Sequence, residues 1–218
     1  GAPTGIMDQS ASMLGRLDHA VFIDCRSLEA ESVELGFAEA GLEILIIDTK
    51  VAHRHADGGY ASRRASCELG ARVMGVAALR DLSTDDLVLA GELLDDENFR
   101  RVRHVVTENQ RVLDTVQLLR TDDPSAIGEL LYASHESMRD DFEISVDELD
   151  TAVETALRHG AIGARMTGGG FGGAAIALTP IDKISEVTLA IKAEFASLGF
   201  ATPDIFAVSA APGAGREI

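Results

Sequence analysis

The sequence predicts an α+β fold in which helices pack over a mostly antiparallel sheet. Three observations lead there: β-branched runs in the first quarter of the chain, helical periodicity over residues 83–159, and two apolar runs flanking a glycine-rich stretch, followed by one more helix and strand. With 218 residues and 46% hydrophobic side chains, the chain has ample material for a packed core.

In chain order, Pro3 and Thr4 offer a helix start, and Met7, Ala11 and Leu14 then recur at helical spacing until Gly15 stops the run. The opposite face carries Gly5, Asp8 and Ser12, which puts a carboxylate in the first turns with open space before it at Gly5. An aspartate there also simply complements the helix dipole, so its position alone assigns no chemistry. Residues 19–24, 32–35 and 42–49 read as three strands of one sheet, the last long enough to be central. Residues 50–59 form a polar loop with His53 and His55. Only Asp57 stands near them, so no ligand set is completed and no metal is assigned. A helix follows over residues 60–74. Tyr60 stands at its entrance with Arg63 and Arg64 close behind, a group that either meets a polar small molecule or forms a surface ion-pair cluster.

Residues 83–86 open a short helix, and residues 96–119 form a long one with Phe99, Val102, Val106, Val116 and Leu119 on its apolar side. Helices over residues 125–139 and 146–159 complete the block 83–159. Within it, residues 134–141 are densely polar and read as a helix terminus with solvated charges. Strands are expected at residues 161–166 and from the glycines to about Leu178, where Pro180 breaks the run. Residues 184–198 form an amphipathic helix, residues 205–208 close the sheet, and residues 211–218 are a ragged tail.

Composition removes several function classes. Thirty-six acidic against 19 basic side chains give a net charge of −17, which repels nucleic acid and anionic membrane surfaces, so neither is expected as a partner. Any phosphorylated ligand must be held locally, by loop amides, a metal ion or a few placed arginines. Cys25 and Cys67 are too few for a disulfide framework, which points to a reducing cytoplasm. No apolar run approaches the roughly 18 residues that span a bilayer. Neither a signal peptide nor an initiator Met is present, and Gly1 stands just before a functional-looking helix. The expectation is that a natural N-terminal part has been removed.

The densest motif is Arg165-Met166-Thr167-Gly168-Gly169-Gly170-Phe171-Gly172-Gly173. Five glycines in six positions let a backbone enter positive φ and expose its amides, which suits phosphate oxygens. A tight strand connection without a ligand explains the same residues, and no Lys-Ser or Lys-Thr follows to make a Walker A loop.

Together with Gly5-Ile6-Met7-Asp8-Gln9, this motif closely resembles the galactokinases of the GHMP family of small-molecule kinases. The resemblance extends to Asp24-Cys25-Arg26-Ser27-Leu28, to residues 60–67, to Arg103-His104-Val105-Val106 and to residues 134–143, nearly the whole chain. It implies a GHMP-kinase fold: residues 1–40 as a remnant of the N-terminal domain, residues 41–210 as the complete ferredoxin-like C-terminal domain, and residues 211–218 as the tail. It implies that Asp8 is the catalytic aspartate, that Gly5 and Tyr60 join Asp8 in binding the sugar, and that Gly168, Gly169, Gly170, Gly172 and Gly173 shape the ATP site. The implied reaction moves the γ-phosphoryl group of ATP, with Mg²⁺, to the anomeric oxygen of D-galactose. A non-catalytic sugar sensor and a kinase for another sugar such as N-acetylgalactosamine remain the alternatives. The family's Glu-His-Thr-Asp sugar signature and Ser-rich ATP loop do not occur here. The chain without that missing N-terminal half is therefore expected to be inactive, and to cover its apolar residues Ile6, Met7 and Leu14 by self-association or leave them poorly ordered. Departures at Ala52, Arg54, His55 and Ala174 put the contacts of residues 52–55 in doubt.

Overall fold

The computed structural model describes residues 5–52, 56–121 and 123–215. His53, Arg54, His55, Pro3 and Thr4, named above, lie outside the described residues. The chain opens with α1 (Met7–Leu14), followed by β1 (His19–Ile23) and β2 (Ala30–Glu34), an antiparallel pair that stands as its own two-stranded sheet. β3 (Leu42–Asp48) does not join that pair, which corrects the expectation of one three-stranded sheet. Instead it lies inside a second sheet with β4 (Gly163–Thr167), β5 (Ala174–Pro180) and β6 (Asp204–Val208), in the order β4-β5-β3-β6 and antiparallel throughout. With a helical crossover between β3 and β4 and α7 (Ile184–Leu198) between β5 and β6, this is the ferredoxin-like βαββαβ order. Pro180 is the last residue of β5, at the strand end where a missing N–H is tolerated.

β3 is apolar almost without interruption because both of its faces are covered. Leu45 and Ile47 pack with Leu149 and Val153 of α6 (Asp147–Arg158) and with Ile191 and Phe195 of α7. Leu42 and Ile44 turn the other way, into a cluster with Val33 and Phe37, with Val116 and Leu119 of α4 (Asp96–Leu119), and with Ile127. α4 begins at Asp95, whose carboxylate accepts the Asn98 N–H at 2.8 Å. Its third face carries Val102 and Val106 into a cluster with α2 (Ala56–Val73) and α3 (Leu87–Leu93).

α5 (Ile127–Glu136) closes the free edge of β4. Gly128 meets the backbone of Ile162 and Gly163 directly, and the Met166 N–H donates to His135 Nδ1 at 3.2 Å. His135 is wholly buried, with Nε2 3.1 Å from Asp150 Oδ1. After α5 the helix widens into a π-helical turn, Ser137–Asp141, in which the Phe142 N–H reaches back to Ser137 O. This corrects the reading of residues 134–141 as solvated: Ser134, His135, Ser137, Met138 and Asp141 are all buried. The Ser137 hydroxyl donates to Asp141 at 3.2 Å and accepts from His104 Nδ1 at 3.0 Å, while His104 stacks on Phe142 with ring centroids 4.3 Å apart.

Two further stretches also differ from expectation. Asp24 is the turn anchor of the first hairpin, accepting from the Arg26 and Ser27 N–H groups and pairing with both Nη atoms of Arg80, which hold its carboxyl well below the usual range. Residues 211–215 are no ragged tail: the Gly213 N–H donates to Gly15 O and the Ala214 N–H to Ser12 O, each at 2.7 Å.

Two outcomes follow. Gly128→Ala drives a Cβ into the Ile162 carbonyl, where both neighbours are backbone, and should destabilise the fold by about 1–3 kcal/mol, read as a lower urea midpoint. Burial holds the His104 pKa down to about 4, so its neutral form is the native one and the unfolded chain binds the extra proton. Its stabilisation is complete above the unfolded value near 6.5 and is lost as pH falls toward about 4. Between pH 6.5 and 4.5 wild type should lose about 2 kcal/mol more stability than His104→Asn.

Candidate active site

Residues 168–173 are the hairpin turn between Thr167 of β4 and Ala174 of β5, which pair across it. Its backbone takes positive φ at Gly168, Gly170, Phe171, Gly172 and Gly173 (86°, 83°, 62°, 131° and 88°). The turn has an anchored floor and an open tip. In the floor, the Phe171 N–H donates to Ile144 O at 2.7 Å and the Gly173 N–H to Val51 O at 3.1 Å. Gly173 O accepts from both the N–H and the hydroxyl of Thr49, at 3.1 and 2.6 Å. A Cβ on Gly170 would stand 2.6 Å from Ile144 O, and one on Gly172 2.8 Å from Val51 O, so these two glycines are required by close backbone approach. Gly168 and Gly169 are exposed, with nothing within 4 Å of a Cβ, and they form the tip that stands open to a ligand.

A groove of about 340 Å³ runs beside the tip. Tyr60, Arg63, Arg64 and Cys67 of α2 form one wall, Phe142 and Ile144 the other, and Gly168, Gly169 and Phe171 the end. α2 and the turn are held together by Phe171, whose ring lies so close over Gly59 that no side chain fits there, 6.0 Å from the Arg63 guanidinium. Tyr60, one residue on, lines the same groove as the glycine tip, with 41% of its surface exposed. Arg64 pairs with Glu68 at 2.9 Å, and burial pushes the Cys67 thiol pKa up, away from nucleophilic use.

The site residues expected from sequence fall into two groups. Tyr60 and the glycine turn share the groove. Gly5 and Asp8 are exposed at and beside the start of α1, a helix with no buried residue that hangs from residues 213 and 214, and neither lines the groove. Sequence reasoning missed the turn at residues 141–144, which carries the glycine floor, and the two arginines that hold it. Arg63, left open in the sequence between a ligand contact and a surface ion pair, donates from Nε to Phe142 O and from Nη2 to Glu143 O at 2.9 Å. Arg101, only 1% exposed, donates to Asp141 O and pairs with Glu143 Oε2 at 2.6 Å. Among the described residues, no group of three His, Cys, Asp or Glu side chains is arranged to hold a metal ion. No helix among them is long and apolar enough to cross a membrane.

The family description "GHMP kinases C terminal" matches residues 115–197. Over its whole length the chain is 49% identical to the galactokinase of Streptomyces coelicolor, and over 98% of its length 45% identical to that of Mycobacterium bovis BCG Pasteur. It spans 57% and 59% of those two proteins, so little more than half the length of the relatives it matches. Among solved structures, it aligns with Lactococcus lactis galactokinase in complex with galactose at a TM-score of 0.91 and 32% identity, covering 98% of this chain and 56% of that one. Leishmania major mevalonate kinase shares the fold alone, at a TM-score of 0.51 and 17% identity. Sequence and fold agree: residues 115–197 match the GHMP kinase C-terminal domain, and the chain is similar in sequence and fold to galactokinases over nearly its whole length.

Proposed function

We propose that this chain is the C-terminal part of a galactokinase, which transfers the γ-phosphoryl group of ATP to the anomeric hydroxyl of D-galactose in the cytoplasm. The observation that carries the reading is the groove lined by both Tyr60 and the open tip Gly168-Gly169, in a chain that follows a galactose-bound galactokinase over 98% of its length. Tyr60 would meet the sugar, and the Gly168-Gly169 tip would stand at the nucleotide phosphates, with Gly170, Gly172 and Gly173 fixing its height. Residues 1–40 would belong with the N-terminal domain and residues 41–210 form the C-terminal one. Two free thiols, at Cys25 and Cys67, favour a reducing compartment.

Phosphoryl transfer passes through a loose transition state, so positioning does most of the work and a strong base is not demanded. Asp8, together with Gly5, would orient the sugar hydroxyl and accept its proton late, once the oxygen has begun to bond to phosphorus. Mg²⁺ is the expected companion of ATP, but this chain offers no acidic cluster for it among the described residues, and no step is assigned to it. The sugar signature and Ser-rich loop expected of the whole enzyme would come from the N-terminal half, which makes this chain incomplete by itself. Alone, it would also cover the exposed Ile6, Met7 and Leu14 of the α1 region with a second copy.

In the whole protein, Asp8→Asn should lower ATP-dependent galactose phosphorylation by about 10²–10⁴-fold with an unchanged melting temperature; near-normal turnover removes Asp8 from the mechanism. For the 218-residue chain, light scattering should show concentration-dependent dimers that Met7→Ser with Leu14→Ser converts to monomer. A monomer at every concentration in the parent chain would leave that face without a second copy.

A further inference from the structure

We propose that Arg63 and Arg101 are positioning residues for the glycine turn: they fix it at working height by capturing the backbone carbonyls of residues 141–143. The placement rests on the kinase reading only for its catalytic consequence, and on geometry for everything else. Arg63 is directed chiefly at backbone, and Arg101 divides its donors between a carbonyl and the carboxylates of Glu143 and Glu97. Arg63 bridges two successive carbonyls, Phe142 O through Nε and Glu143 O through Nη2, and Arg101 takes the carbonyl just before them, Asp141 O. Three consecutive carbonyls, left over where a π-helical turn ends and Glu143 enters positive φ, are thereby satisfied by two cations instead of by the next turn of a helix.

The next residue in the chain is the one that holds the glycines. Ile144 O receives the Phe171 N–H at 2.7 Å, and Ile144 presses on Gly170 with no room for a Cβ between them. Arg63 has a second hold on the same turn through the Phe171 ring. A fork of donors suits this task and an ammonium does not. Nε and Nη2 lie in one rigid plane and reach two carbonyls at once, whereas a lysine is a point donor that cannot hold both in that geometry. Glu143 keeps the cations company through its carboxylate, pairing with Arg100, Arg101 and Arg63, yet its side chain is 45% exposed. The carbonyls, and not the carboxylate, are the contacts that transmit position.

Hydrogen exchange on the 218-residue chain separates this from general stability. Arg63→Lys should speed exchange of the Phe171 amide by about 10–100-fold, while amides of β5 and α7 exchange as in wild type. Glu143→Gln should leave Phe171 exchange within about twofold of wild type. Unchanged Phe171 exchange in Arg63→Lys overturns the proposal, as does an equal rise across β5 and α7, or a Glu143→Gln effect as large as that of Arg63→Lys. Should Arg63→Lys not fold, Arg101→Lys is read by the same criteria. In the whole protein with galactose and ATP, Arg63→Lys should lower kcat by about 10-fold with the galactose KM held within twofold. Altered exchange with normal kcat would overturn the catalytic consequence alone, and absence of any galactose phosphorylation in the wild-type protein would overturn the kinase reading while leaving the exchange result to stand.

Discussion

The hydrogen bond from the Phe171 N–H to Ile144 O is the point on which the rest of the site depends. It joins two segments separated in the chain by α6 and β4: the turn that follows α5 and its π-helical extension, and the hairpin that follows β4. A six-residue glycine turn is a poor rigid body, because its residues have the most backbone freedom to lose. Here it is made rigid from outside. Residues 141–144 give it a floor, Thr49 and Val51 extend the β3 edge to grip Gly173, and the Phe171 ring presses on α2 at Gly59. Only the two tip glycines are left standing open.

The same arrangement resolves an electrostatic difficulty. A protein with a net charge of −17 repels polyphosphate at long range, so local positive charge near the site must be both present and held still. Arg63, Arg64, Arg100, Arg101 and Arg103 all lie around the turn, but they are not a loose basic patch. Arg63 and Arg101 are engaged with carbonyls, and Arg103 pairs with Asp141, whose other contact is the Ser137 hydroxyl. The cluster is therefore structural before it is electrostatic. Buried guanidinium groups of this kind retain their charge and rigidify a backbone, because each donor that lost its carbonyl would be left unpaired in a low-dielectric setting.

Much of this was legible in the sequence, and the failures have physical causes. The helices over residues 96–119 and 184–198 were read to the residue, since long amphipathic periods with an aspartate cap before one and a glycine after the other leave little freedom. The strands were found, but their partners were not. β3 is apolar on both faces whether it joins β2 or β5, and pairing across a crossover of more than a hundred residues has no local signature. The polar run 134–141 was misread because a string of charged residues looks solvated until its partners are known, and Asp141 finds Arg103 38 residues upstream. The role of Arg63 stayed open for the opposite reason: its partners are carbonyls, and a carbonyl has no letter in the sequence. The ordering of residues 213 and 214 was invisible on the same ground, being done entirely by backbone.

On the proposed reading, that last feature bears on how a carboxylate on α1 could serve a groove it does not line. α1 has eight residues, too few to be a stable helix in isolation, and buries none of them. Its position comes from elsewhere, through Ser12 and Gly15 accepting from Ala214 and Gly213, and through the Asp18 N–H donating to Ala210 O at 3.3 Å. Those tail residues continue β6, which pairs with β3 in fixed register from Ile44 to Asp48, and β3 runs on into Thr49 and Val51 beneath the glycine turn. Backbone hydrogen bonds thus tie α1 to residues 213 and 214, beyond the end of β6, and tie the residues after β3 to Gly173 at the base of the glycine turn. An element held only by its backbone can be aimed by the register of a strand without any packing of its own, and its apolar side chains stay free for whatever covers them. On the proposed reading, in which alignment matters more than basicity, the aspartate can stand on a helix that buries none of its own residues.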